Sequence, residues 1–169
     1  MRKFSGRAEP AVGVERGTER GLVRVRKFHR RDADVVVAIV AESPEAAIWS
    51  GESYVKLAEE NATLALVSET NGEISGFLVG RMVGDQAEVL NLAVRARDRR
   101  TGRGAALLEA ALKDFELRGA RCVYLEVRES NTGAIAFYEK HGFAQVGRRK
   151  GYYRNPDEAA VTMEAKLTA

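Results

Sequence analysis

Apolar and polar positions alternate along residues 22–28, where Leu22, Val23, Val25 and Phe28 are interspersed with Arg24, Arg26 and Lys27. That is a strand pattern. Behind Asp32, a candidate N-cap, Val35, Val36, Ile39 and Val40 recur at helical spacing, and Ser43-Pro44 closes the segment. A second helix start lies at Trp49-Ser50, with Ser50 as cap and Trp49 placed to staple onto Tyr54. Residues 63–68 read as a strand, Asn71-Gly72 as a hairpin turn, and 73–82 and 87–94 as further strands. Gly76 marks a bulge or a close approach of another chain segment. Leu107, Leu108, Ala111, Leu112 and Phe115 form a helical stripe within 103–118, which Gly119 ends. A β-branched and aromatic run at 122–128, a short helix over 131–141 ended by Gly142, a strand opening at 143–146 and a weaker alternation at 160–167 complete the pattern.

The order strand, two helices, three strands, helix, strand, helix, two strands predicts a mixed α/β domain. Its three consecutive antiparallel strands are followed by a β–α–β–α–β segment. The 169 residues suit one core. Hydrophobic residues at 45% and charged residues at 30% exclude a disordered chain. No apolar run reaches the ~20 residues of a membrane-spanning helix, and the first ten residues hold no secretion signal, so a cytoplasmic protein is expected. One cysteine, Cys122, and two histidines, His29 and His141, exclude an internal disulfide and give no basis for a metal site.

Charge changes the picture in two places. Residues 1–31 carry ten Lys/Arg against three Glu, a net of +7 in a chain whose total is +3, so the remainder carries −4. Residues 1–20 are therefore expected to be a basic, mobile leader, with 21–169 as the single folded domain. Phe4 is the only ring before Phe28, which argues against base stacking and makes nucleic acid an unlikely partner. The second cluster, Arg95, Arg97, Arg99, Arg100 and Arg103, leads through Gly102 and Gly104 into a helix. Arg99-Arg100-Thr101-Gly102-Arg103-Gly104-Ala105 is a candidate anion cradle, because glycines let backbone N–H groups turn inward and the helix start adds partial positive charge. It lacks the Gly-Lys-Ser/Thr of a Walker loop and the three-glycine spacing of a dinucleotide fingerprint.

The same loop resembles the acetyl-CoA loop Q/R-x-x-G-x-G/A of the GNAT superfamily of N-acetyltransferases. A second stretch, Leu-Glu-Val-Arg-Glu-Ser-Asn at 125–131 followed by Ala134-Ile135, Tyr138 and Gly142-Phe143, resembles the signature of the bacterial ribosomal-protein-alanine N-acetyltransferases within it. Asn91-Leu-Ala-Val94, Trp49-Ser50 and Tyr152-Tyr153 are similar to further segments of that family, and the resemblance spans roughly 22–168. It implies a GNAT-like fold, a central, mostly antiparallel sheet of about seven strands flanked by about four helices. It also implies transfer of an acetyl group from acetyl-CoA to a protein N-terminal α-amine by direct attack through a tetrahedral intermediate. The typical target is an alanine-starting small-subunit ribosomal protein, and the enzyme is expected as a monomer or weak homodimer. A small-molecule amine, a lysine side chain, or a non-catalytic acetyl-CoA-binding module are the alternatives.

Roles follow residue by residue from the same match. Glu126 is implied as general base and Tyr138 as the acid that protonates the departing thiolate. Leu92, Ala93 and Val94 are implied to pair with the cofactor arm and polarise the acetyl carbonyl. Asn131 and the loop residues Arg99, Arg100, Thr101, Gly102, Arg103, Gly104 and Ala105 are implied to bind the cofactor. Read from the residues alone, Glu126 could instead face solvent or pair with an arginine, and Tyr138 could pack in the core. His141 reads as a helix-end charge partner and Cys122 as core. Where the family usually places acidic residues and a proline, this chain has Arg95, Ala96 and Arg97, with Asp98 in place of an aromatic. Those arginines are expected to favour acidic residues downstream in the acceptor.

Overall fold

In the computed structural model the described residues are Gly13, 15–18 and 21–168. They form eight strands: β1 (Glu15–Thr18), β2 (Gly21–Lys27), β3 (Thr63–Thr70), β4 (Glu73–Val83), β5 (Gln86–Val94), β6 (Cys122–Arg128), β7 (Ala144–Tyr153) and β8 (Glu158–Lys166). Four α-helices join them: α1 (Ala33–Ala41), α2 (Gly51–Glu59), α3 (Arg103–Leu117) and α4 (Thr132–Lys140). The sheet order is β1-β2-β3-β4-β5-β6-β8-β7. Every neighbouring pair is antiparallel except β5 and β6, which α3 connects in parallel. The mixed, mostly antiparallel architecture agrees with the sequence expectation.

Two differences stand out. Glu15–Thr18, assigned above to the leader, form β1 and pair with β2 from Glu15↔Arg24 to Thr18↔Gly21. An edge strand of four residues bonds through its backbone and needs no apolar alternation, so the sequence carries no sign of it. The rest of the leader assignment, residues 1–12, 14, 19 and 20, lies outside the described residues. The second difference is in the C-terminal half, where β8 inserts between β6 and β7 and β7 becomes the outer edge.

Local chemistry explains the elements that the pattern did predict. Asn71 and Gly72 take φ of +53° and +78°, as a two-residue hairpin turn requires. Ser50 caps α2, its hydroxyl accepting from the Ser53 N–H at 3.2 Å, and Trp49 packs on Tyr54 with ring centroids 5.4 Å apart. Asp32 does not cap α1 with its side chain. Its carboxylate instead accepts from the His29 N–H at 2.7 Å and pairs with Arg26 at 2.8 Å.

Two apolar clusters cover the sheet. Under α3 and α4, one runs the whole width from Val23 and Leu66 through Leu107, Phe115 and Tyr138 to Val161 and Met163. On the opposite face the other joins α1 and α2 to Val67, Phe77, Val79 and Ala93 of β3, β4 and β5 alone.

Candidate active site

The site begins with a break in the sheet. β5 and β6 pair only from Gln86↔Cys122 to Glu88↔Tyr124. Immediately beyond, the β4–β5 register shifts, from Gly80↔Val89 to Val79↔Asn91, so Leu90 is an extra residue in β5. A bulge bends the strand that carries it, and here it turns β5 away from β6. Gly80 makes the bend possible: a Cβ there would lie 2.8 Å from the Glu88 carbonyl oxygen and 2.8 Å from the Phe115 ring. Gly76 is a second close approach, where a Cβ would lie 2.9 Å from the Ala93 oxygen.

The parted strands open a cavity of about 940 Å³, lined by Val89–Val94 on one side and Leu125–Arg128 on the other. At the far end of β5 lies the glycine loop. Gly102 takes φ +83° as the N-cap of α3, and Arg100 takes φ +60°. Arg99 braces the loop through its guanidinium, which donates to the Val94, Glu42 and Ser43 oxygens at 3.2, 2.8 and 3.1 Å. Arg100 is exposed at the cavity rim and has no hydrogen bond or ion pair among the described residues. A Cβ on Gly104 would reach the Phe137 ring at 3.6 Å and Val94 at 3.7 Å, so its hydrogen leaves the helix backbone open to the cavity. Unspent helix N–H groups, an unpaired guanidinium and a bare backbone fit a diphosphate, and the long cleft beside β5 fits an extended arm.

Glu126 and Tyr138 reach this cavity from opposite faces of the sheet. Leu125 and Val127 point into the α3/α4 cluster, which sends Glu126 to the other side. Its side chain is 18% exposed, lines the cavity and bonds Arg149 Nη1 at 2.7 Å. Tyr138 comes from α4, 9% exposed, edge-on to Phe137 and Phe143. Its hydroxyl makes no hydrogen bond among the described residues. Burial, and then the neighbouring Tyr153, raise its pKa above that of an ordinary phenol. Burial likewise pushes Tyr153, which also lines the cavity, up to about 12. Asn131 caps α4, its Oδ1 accepting from the Ala134 N–H at 3.2 Å, at the cavity wall.

The profile of the Acetyltransferase (GNAT) family matches residues 25–143. The chain belongs to this family. Among its curated GNAT relatives, the bS18 ribosomal-protein alanine N-acetyltransferase of Escherichia coli strain K12 is 41% identical over 100 residues, 58% of this chain and 68% of that one. The N-alpha-acetyltransferase of Sulfurisphaera tokodaii is 34% identical over 150 residues, 80% and 89% of the two chains. The crystal structure of the ribosomal-protein-S18-alanine N-acetyltransferase from Escherichia coli superposes with a TM-score of 0.75 at 30% identity, covering 87% and 95%. The chain is thus a GNAT acetyltransferase.

Against that family's roles, the structure brings Leu92, Ala93, Val94, Arg99, Arg100, Gly102, Gly104, Ala105, Glu126, Asn131 and Tyr138 to one cavity. Thr101 and Arg103 are the exceptions. Arg103 is 3% exposed and turns inward to Thr70 at 3.1 Å, to the Thr101 hydroxyl and towards Asp98 at 3.7 Å. The two residues brace the GNAT loop from behind, and their side chains do not line the cavity. The arginines expected to favour acidic acceptors are already engaged. Arg95 bonds the Ile74 oxygen at 3.0 Å and pairs with Glu42, and Arg97 pairs with Glu73 and Asp98.

Sequence reasoning gave no role to two contributors. Asn91 is buried in β5 and donates to the Ala47 oxygen at 2.9 Å and to the Tyr54 hydroxyl at 3.2 Å. It ties the cavity wall to the segment before α2, and an amide inside an apolar strand was its signal. Arg149 has no sequence signal, since it reaches Glu126 across β8, over a position where β8 carries the small Ala160 and Thr162.

Proposed function

We propose that the protein acetylates the α-amine at a protein N-terminus, with an alanine-starting small-subunit ribosomal protein as the leading target. The observation that carries this reading is that Glu126 and Tyr138 line one cavity, from opposite faces of the sheet, at the gap between β5 and β6. An amine held at Glu126 on one face and a thioester lying along β5 beneath Tyr138 on the other would be in line for direct transfer. Acetyl-CoA, when bound, supplies the thioester carbonyl and the thiol leaving group.

The chain's own residues would do the rest. Gly102, Gly104 and Arg100 hold the diphosphate. The β5 backbone at Leu92–Val94, without a partner strand on its β6 side, offers hydrogen bonds to the arm and to developing negative charge, a contribution of order ~3 kcal/mol for one well-aimed donor. Glu126 accepts a proton from the amine, directly or through a water. Tyr138 donates to the leaving sulfur; its raised pKa keeps it protonated across the working range, and its hydroxyl makes no other hydrogen bond among the described residues. An α-amine with a pKa of about 7.7–8.0 asks little of a single carboxylate, whereas a lysine near ~10.4 asks far more.

The test is thiol release from acetyl-CoA with peptides that differ only at the first residue, beside an N-blocked lysine peptide. An Ala-starting peptide is expected to exceed the lysine peptide by at least roughly tenfold in kcat/KM, given the difference in neutral amine. A lysine peptide or a polyamine that reacts as fast would overturn the reading. The proposal extends to a cytoplasmic enzyme that works as a monomer or weak homodimer.

A further inference from the structure

β7 carries Arg148 and Arg149 in succession, so their side chains leave opposite faces of the sheet. Arg148 spends its Nε and Nη2 on Glu129, at 2.7 and 2.9 Å, the side-on fork of a guanidinium on a carboxylate. Arg149 is used differently. Only Nη1 is engaged, on Glu126 Oε1 at 2.7 Å. Its Nε and Nη2 have no partner among the described residues, and its side chain is 60% exposed against 18% for Glu126. The guanidinium is held in place by the Glu126 bond and by the Tyr152 ring, 4.7 Å below it. Nη2, the geminal neighbour of the engaged Nη1, therefore stands open as a cationic donor beside the carboxylate that would meet the acceptor amine, while Nε lies on the far edge of the planar group.

What such an edge can read follows from covalent geometry. In a peptide N-terminus the amine nitrogen is joined through one Cα to a carbonyl, whose oxygen lies only ~3 Å from that nitrogen. A lysine ε-amine is followed by four methylenes and a polyamine by three or four, with no acceptor atom in reach. An α-amine docked on Glu126 brings its own carbonyl to Arg149, and the other amines bring hydrocarbon.

We infer that Arg149 is a specificity residue that donates a hydrogen bond to the carbonyl beside an acceptor α-amine, and so selects peptide N-termini over side-chain and polyamine acceptors. The inference rests on the N-terminal reading given above.

The experiment compares three acceptors: an Ala-starting peptide, the same peptide with its first peptide bond replaced by an alkene, which keeps the shape and removes the carbonyl, and an N-blocked lysine peptide. Each is measured by thiol release with the wild type, Arg149→Met and Arg149→Lys. The wild type is expected to prefer the carbonyl-bearing peptide over its alkene counterpart. In both variants that ratio of kcat/KM is expected to fall by roughly 10- to 100-fold, the worth of a hydrogen bond to a charged group. Arg149→Lys should keep more of the absolute rate, because its ammonium can still pair with Glu126 but lacks the second planar donor that Nη2 supplies. Any change in amine pKa in the isostere cancels when variants are compared. Rates that fall together, leaving the ratio as in the wild type, would overturn the inference alone and reduce Arg149 to a support for Glu126. A wild type that favours the lysine peptide would overturn the N-terminal reading and this inference with it.

Discussion

The two faces of the sheet are built to different standards. The α3/α4 face is sealed from β2 to β8 by one continuous apolar cluster, and the glycine loop, Asn131 and Tyr138 stand on it. The α1/α2 face is covered only over β3, β4 and β5. From the start of β5 outward it is open and charged, with Glu88 on β5 and Tyr124, Glu126, Arg149 and Tyr152 beyond it. A cofactor common to a whole family calls for a fixed mould, and under the proposed function the sealed face would provide one. Acceptors differ from enzyme to enzyme, and the open face can change residue by residue without disturbing a core.

The largest effect should come from the sealed side. Tyr138→Phe keeps the ring against Phe137 and Phe143 and removes the proton; turnover is expected to drop ~10²–10⁴-fold with cofactor affinity unchanged. Near-normal turnover would return Tyr138 to a packing role. In the wild type, any loss of activity caused by ionisation of Tyr138 should begin only above pH ~10, because the folded protein holds that phenol above its ordinary value. Glu126→Gln should cost ~10²-fold in kcat/KM near pH 6.5 and progressively less towards pH 9, as the α-amine loses its proton unaided. A deficit that does not vary with pH would remove Glu126 from proton transfer.

The sequence disclosed the sealed face better than the open one, for a physical reason. Its glycine loop and its helical stripe are local patterns, each settled within a few turns of chain. Asn71-Gly72, Ser50 and the Trp49–Tyr54 pair were legible in the same way. The open face depends on pairings between distant residues: β8 slipping between β6 and β7, Arg149 crossing β8 to Glu126, Arg95 and Arg97 neutralised by Glu42 and Glu73. No spacing rule encodes these. Of the glycines near the gap, Gly76 reads as a bulge or a close approach while Gly80 gives no sequence signal of its own, and only the register shows that Gly80 permits the bulge and Gly76 the close approach.

Two smaller experiments sharpen the contrast. Gly104→Val should fold, since its first added carbon makes ordinary contacts, yet lower acetyl-CoA affinity at least ~10-fold by filling the wall of the cavity. Binding is read directly by calorimetry, and unchanged affinity would move the diphosphate elsewhere. Ser50→Ala should lower stability by ~1 kcal/mol in a denaturant titration while leaving cofactor affinity as it was, because the cap it removes serves only the α1/α2 side.

The outer strand β7 has a bearing on colloidal behaviour. It is ten residues long, and every residue but Tyr153 is exposed. A long bare edge of this kind invites another chain to add on as a further strand. Here the register with β8 breaks twice, between Gln145 and Gly147 and again between Arg149 and Tyr153; Arg148 and Arg149 stand between the breaks and Lys150 follows in the second. An irregular ladder studded with cations makes a poor template for self-association. The same run of basic residues that borders Glu126 thus also weakens this edge as a place for another strand to add.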